Sequence, residues 1–330
     1  MDSAIRAQLA SGQVETARSA LVSMKAFEND ANYVSRMHEL GSEFTKQKDY
    51  STALQIYADL KQQYPGHDRA PGVQRSVIQT YLEMGDQDAK AMADAQVEQL
   101  LTAYAEHPSL PATLNETAEA YRQHGYYNDA IHLYETALSL SPNNAQQLSA
   151  YTGISQCCAR LGKDEFVRQI ADLILPKYRN REGIHHAMFV IGEEYYFIGE
   201  DAERAQNTDI VQHAFLRSAE IWERFMPQAL EFNHPMFPYF TAIAFQRAGE
   251  HKMAKGYFQI VIDRWPNYER RQHAMAMLAE CYDVLKHKQE IANSEANKAI
   301  REIYTAMISD YPDVRATEAA KEWLIAFPDK

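Results

Sequence analysis

Residues 40–65 read LGSEFTKQKDYSTALQIYADLKQQYP, and their spacing decides the fold. Gly41 is followed by an aromatic, Phe44, about one helical turn later. Ala53 comes nine residues after that, Tyr57 four further on, and Pro65 eight beyond. The series returns as Ala118, Tyr121, Ala130, Tyr134 and Pro142, and again as Ala242, Phe245, Ala254, Phe258 and Pro266. In all three copies the first aromatic and the proline are 21 residues apart.

A small residue and an aromatic three apart share one face of a helix. An alanine in the following helix lets the two backbones cross closely, where a larger side chain would hold them apart. The second aromatic lies one turn beyond that alanine. Proline ends the second helix, because it brings no N–H to the helical ladder. Polar pairs such as Lys48-Asp49 and Tyr127-Asn128 mark the turn between the two helices. Each unit is therefore a helical hairpin of about 34 residues.

The pattern small–aromatic–Ala–aromatic–Pro resembles the tetratricopeptide repeat, with good matches at 34–67, 111–144 and 235–268. Taking Phe44, Tyr81, Tyr121, Cys158, Tyr195, Phe245 and Tyr282 as equivalent extends the register over nearly the whole chain. The resemblance implies an all-α fold: a right-handed α-solenoid of stacked helical hairpins, forming a superhelix with a C-terminal capping helix. It reads as one array over 1–330. A partial hairpin at 1–30 is followed by hairpins at about 34–67, 71–108, 111–144, 147–179, 184–227, 235–268 and 270–312, with the capping helix at 315–327. In the capping helix Ala319, Ala320, Trp323 and Leu324 are expected to face inward; a further repeat beyond it would give the same pattern. The short first helix, with Ile5 and Leu9, reads as the start of a chain inside a repeat.

Three units run longer from first aromatic to closing proline: Tyr81 to Pro108, Tyr195 to Pro227 and Tyr282 to Pro312. The additional residues are rich in Ala, Glu, Gln and Lys, so lengthened helices are expected. They read either as a docking ridge or as a neutral elaboration of the surface.

Composition narrows the function. The chain has 330 residues, with 33 Lys and Arg against 45 Asp and Glu, a net charge of −12. An acidic chain with no basic cluster is poorly suited to nucleic-acid phosphates, so no nucleic-acid partner is expected. With 46% hydrophobic residues it has enough apolar surface to fold, and no apolar run is long enough for a membrane span. Cys157, Cys158 and Cys281 imply no disulfide framework. The N-terminal MDSAIRAQLASGQ lacks the pattern of a signal peptide. A cytoplasmic protein is expected, or a periplasmic one if a signal segment has been removed.

No phosphate-binding G-x-x-x-x-G-K-[ST], no G-x-G-x-x-G, no G-x-S-x-G and no H-E-x-x-H occurs. No catalytic residues and no cofactor are assigned. Glu182, His185, His186 and Glu193 have a spacing that can hold zinc on one helix, and equally that of an ordinary polar face, so no metal site is assigned.

In stacked hairpins the first helices line the inner surface. The earlier units place polar residues there: His38, Glu39, Ser42, Thr45 and Lys46, then Asn115, Glu116, Glu119, Arg122 and Gln123. The later units place Phe189, Val190, Glu193, Tyr196 and Phe197, then Tyr239, Phe240, Ile243, Gln246 and Arg247. Exposed apolar patches mark partner surfaces. This set is the candidate groove for a protein or peptide partner, the alternative being packing beneath the lengthened hairpin. Two glutamates in the earlier groove would repel an acidic tail; a basic or apolar segment suits it better. The expected role is a non-catalytic interaction scaffold or adaptor. The alternative is a repeat segment of a larger protein or cell-envelope assembly, with any chemistry elsewhere. The oligomeric state is not specified by the sequence.

Overall fold

The computed structural model describes residues 2–141, 143–181, 183–312 and 315–327. Among these every regular element is helical. The chain divides into two compact units, Met1–Cys157 and Cys158–Lys330.

The first unit holds α1 (Asp2–Ala10) and α2 (Val14–Leu21), the latter running on as a tighter 3-10 segment over Val22–Phe27. Then come α3 (Tyr33–Lys46), α4 (Tyr50–Gln63), α5 (Ala70–Met84), α6 (Gln87–Ala103), α7 (Leu110–Gln123) and α8 (Tyr127–Leu140). The division falls within α9 (Asn144–Arg160). The second unit continues with α10 (Asp164–Lys177), α11 (Ile184–Arg204), α12 (Thr208–Glu231), α13 (Met236–Arg247) and α14 (His251–Arg264). It ends with α15 (Arg271–His287), α16 (Asn293–Asp310) and α17 (Arg315–Ala326).

The repeated residues occupy the core that their spacing predicts. Phe44, Tyr121 and Phe245 are buried, as are Ala53, Ala130 and Ala254, and Tyr57, Tyr134 and Phe258. The small residue before the first aromatic is set by contact: a Cβ on Gly41 would overlap the ring of Tyr57. Pro142 lies outside the described residues.

Each first helix also stops by the same device. The residue four after the first aromatic has a left-handed backbone in five units: Lys48, Gly85, Gly125, Gly162 and Gly249. Glycine reaches that conformation without a Cβ clash, which is why it ends most of these helices. In α11 the left-handed residue is displaced to Gln206, and in α15 to Gln289, so these first helices are extended before the turn. In the 71–108 hairpin the extra length lies in the second helix, α6, instead.

Two details differ from the sequence reading. Pro227 does not close its hairpin: it sits inside α12, which runs on to Glu231. Proline removes one N–H from the ladder, and the burial of Phe225, Met226 and Ala229 around it holds the helix together. In α17, Ala320 is buried and Trp323 and Leu324 are partly so, but Ala319 is exposed. The helix is fixed by its tryptophan, with the Trp323 ring 5.6 Å from Tyr304 and 4.8 Å from Phe327.

Candidate partner-binding face

The polar positions of the first unit are largely committed to one another. Arg6 pairs with Glu39 across α1 and α3, and Arg75 with Glu116 at 3.0 Å across α5 and α7. Glu119 is held by Arg122 at 2.7 Å and by the Tyr134 hydroxyl at 3.0 Å. Thr45 and Asn115, expected at the surface, are buried between helices. Thr45 bonds to Thr80 at 2.9 Å, and Asn115 donates to the Gln146 carbonyl at 3.0 Å. Short polar side chains that find a partner on the adjacent helix can be buried at little cost, so polarity alone misplaces them.

The aromatic set of the second unit is built on α11. Phe189, Glu193 and Tyr196 or Phe197 follow one another by about a turn and form one stripe. Phe189 stacks on Trp222 of α12 at 5.5 Å and meets Phe240 of α13 edge-on at 5.5 Å. Trp222 donates its indole N–H to the Phe189 carbonyl at 3.0 Å. Further along, Tyr196 packs edge-on against Phe215 at 5.1 Å. Ring pairs at these separations add to the stabilisation from burial.

Arg247 closes one end of the stripe. Its guanidinium lies 4.2 Å from the Phe215 centroid and 4.9 Å from that of Tyr196. It donates to the Tyr196 hydroxyl at 2.7 Å, to Glu200 at 3.0 Å, and to Glu203. Burial works against the charge, but bonds to Tyr196, Glu203 and Glu200 raise the Arg247 pKa above the ordinary arginine value. At the other end Arg270, in the turn before α15, lies 5.5 Å from the centroids of both Tyr239 and Phe240. Arg270 and His273 were missed by the sequence reading, because neither carries an apolar or repeat-register signal.

The candidate groove residues thus separate. Tyr239 is buried: its ring packs against Tyr268 and Phe240 and its hydroxyl meets His273 Nδ1 at 2.9 Å. It supports the face from beneath and is no part of its surface. Phe189, Val190, Glu193, Tyr196, Phe240, Ile243, Gln246 and Arg247 are partly exposed, and Phe197 is 44% exposed. The other α13 positions of the set hold their register; Tyr239 is buried because His273 of α15 packs against its ring.

Other chemistry is sparse. Among the described residues no three His, Cys, Asp or Glu side chains gather as a metal site would need. Glu182 lies outside the described residues, and His185 stacks on His234 at 5.2 Å. All three cysteines are buried, and burial pushes the Cys281 thiol up to about 12, far from the reactive thiolate range. No helix among the described residues is long and apolar enough to cross a membrane.

The family profile described as tetratricopeptide repeat matches residues 111–144, and a second of the same description matches 40–67 and 241–268. No curated protein matches the chain in sequence. Among solved structures, it is similar to the C-terminal part of a tetratricopeptide-repeat protein from Cytophaga hutchinsonii, at 14% identity and a TM-score of 0.44, over 86% of this chain and 98% of that one. It is also similar to a tetratricopeptide-repeat protein from Parabacteroides merdae, at 13% identity and a TM-score of 0.40, over 88% and 97%. A third likeness is to the apo form of RapI, at 13% identity and a TM-score of 0.41, over 89% and 80%. With three hairpins matched in sequence, and helical hairpins of the same design continuing through both units, the chain is a tetratricopeptide-repeat, helical-repeat protein.

Proposed function

We propose that this chain is a non-catalytic protein-interaction scaffold that holds a peptide or partner-protein segment on the face formed by α11 and α13. Repeats of this family generally serve as scaffolds, so the fold favours binding over chemistry. The observation that carries the reading is Phe197. It stands 44% exposed on the same stripe as the partly exposed Phe189, Val190 and Tyr196, with Phe240 and Ile243 beside them on α13. An aromatic rim of this kind on a rigid helical support is what binding hot spots are made of.

The test is affinity capture with the full chain and with Phe197→Glu, each checked for unchanged helicity by circular dichroism. A protein retained by the wild type and lost from Phe197→Glu supports the assignment. Equal retention by both would move the site away from α11.

A further inference from the structure

α11 carries five carboxylates: Glu193, Glu194, Glu200, Asp201 and Glu203. Four are held by arginines of the chain itself. Arg160 holds Glu194 and Asp201, Arg204 also reaches Asp201, and Arg247 holds Glu200 and Glu203. Among the described residues Glu193 has no such partner: its nearest charges are His186, which acts on it only through space, and the like-charged Glu194.

Its position makes this informative. Phe189 meets Phe240, and Tyr196 meets Arg247, each pair spanning α11 and α13 with the same sequence offset. The shared offset puts α11 and α13 in the same register at these two contacts. Glu193 falls between those contacts on α11, about one turn from Phe189 and one from Tyr196. It is partly buried on a stripe whose neighbouring positions are aromatic, where a carboxylate without a counter-ion loses hydration and gains nothing in exchange. Burial raises its pKa above the usual carboxylate range, with His186 opposing and Glu194 adding to the rise. The same face already seats guanidinium groups on its rings, Arg247 on Tyr196 and Phe215 and Arg270 on Tyr239 and Phe240. Among the described residues the chain supplies a cation at both ends of the stripe and none in the middle.

We infer that Glu193 receives a lysine or arginine side chain from the bound partner, and that the segment recognised flanks this cation with apolar residues, one toward Phe197 and one toward Phe240. The inference rests on the binding face proposed above and names the chemistry of what occupies it. A charge-assisted bond in a partly dehydrated site fixes the register of the segment, while the rings supply contact area.

The experiment is selection of a displayed library of random dodecapeptides on the full chain, on Glu193→Gln and on Phe197→Glu. The expected result is wild-type binders that flank Lys or Arg with apolar residues. Binding of the best synthetic peptide should weaken roughly tenfold on Glu193→Gln, and replacing its cation by norleucine should weaken it equally while leaving no further loss on the variant. Binders that are apolar with no basic enrichment, or whose affinity ignores Glu193→Gln, overturn the role of Glu193 and leave the face intact. Binders indifferent to Phe197→Glu, or no binders at all, overturn the face itself and the inference with it. A wild-type dimer that Glu193→Gln dissociates in sedimentation would assign the cation to a second copy of the chain, and so overturn a separate partner.

Discussion

Trp222 of α12 lies flat over Gly192 of α11, close enough that a methyl group on Gly192 would overlap the indole ring. The indole N–H reaches past it to the carbonyl of Phe189. With the like contact of Gly199 against Phe215, it sets the separation of α11 and α12, and it places Phe189 at the candidate binding face.

Gly192→Ala should destabilise the second unit by about 2 kcal/mol or more, since the ring must move from a fully packed site. Gly256→Ala is the control. Gly256 lies in the interior of α14, and a Cβ there meets nothing within 4 Å. It should stabilise by up to about 1 kcal/mol through helix propensity alone. Urea unfolding followed by circular dichroism reads both, and shifts of the same sign would contradict the packing account.

Lys48 holds the left-handed position that glycine fills in four other units, with φ of 61°. Lys48→Gly should raise stability by about 0.5–1 kcal/mol by removing the Cβ clash, offset in part by the greater freedom of glycine in the unfolded chain. A thermal midpoint that falls would show that the lysine side chain contributes more than its backbone costs.

His38 is partly buried between α3 and α5, its Nε2 at 2.7 Å from the Ser76 hydroxyl. Burial lowers its pKa to about 4, with Arg75 and then Arg69 adding to the effect. The unfolded chain, with an ordinary histidine, therefore binds more protons between about pH 6.5 and 4. Stability from this group is fully present above the upper limit and is lost as pH falls through the window, by at most about 3 kcal/mol. Urea midpoints at pH 7 and pH 5 should differ more for the wild type than for His38→Gln. Parallel behaviour would remove His38 as the source.

Glu194 is 4% exposed and bound by Arg160, which also holds Asp201 at 2.9 Å. Arg160→Ala leaves a buried carboxylate without its guanidinium and should cost about 3 kcal/mol; adding Glu194→Gln should recover part of this. A double variant no more stable than Arg160→Ala would show that packing of the arginine stem, and not its charge, is what matters.

The spacing of Gly41, Phe44, Ala53 and Tyr57 determined the hairpin, and its recurrence determined the array, because a helix pair reports its contacts locally within some 20 residues. The lengthening of α11 and α15 was legible for the same reason. The end of α12 was not: proline usually stops a helix, but burial on both sides of Pro227 outweighs one lost hydrogen bond. Nor was the fate of the inner-face residues. Tyr239, Thr45 and Asn115 have the right period to face outward, and each is buried because the next first helix lies against it, through the His273 and Thr80 side chains and the Gln146 backbone carbonyl. The sequence by itself determined the repeat and the aromatic stripe on α11. Only the tertiary structure decided which carboxylates of α11 are neutralised, since Arg160 and Arg247 come from other helices and their reach depends on how those helices pack.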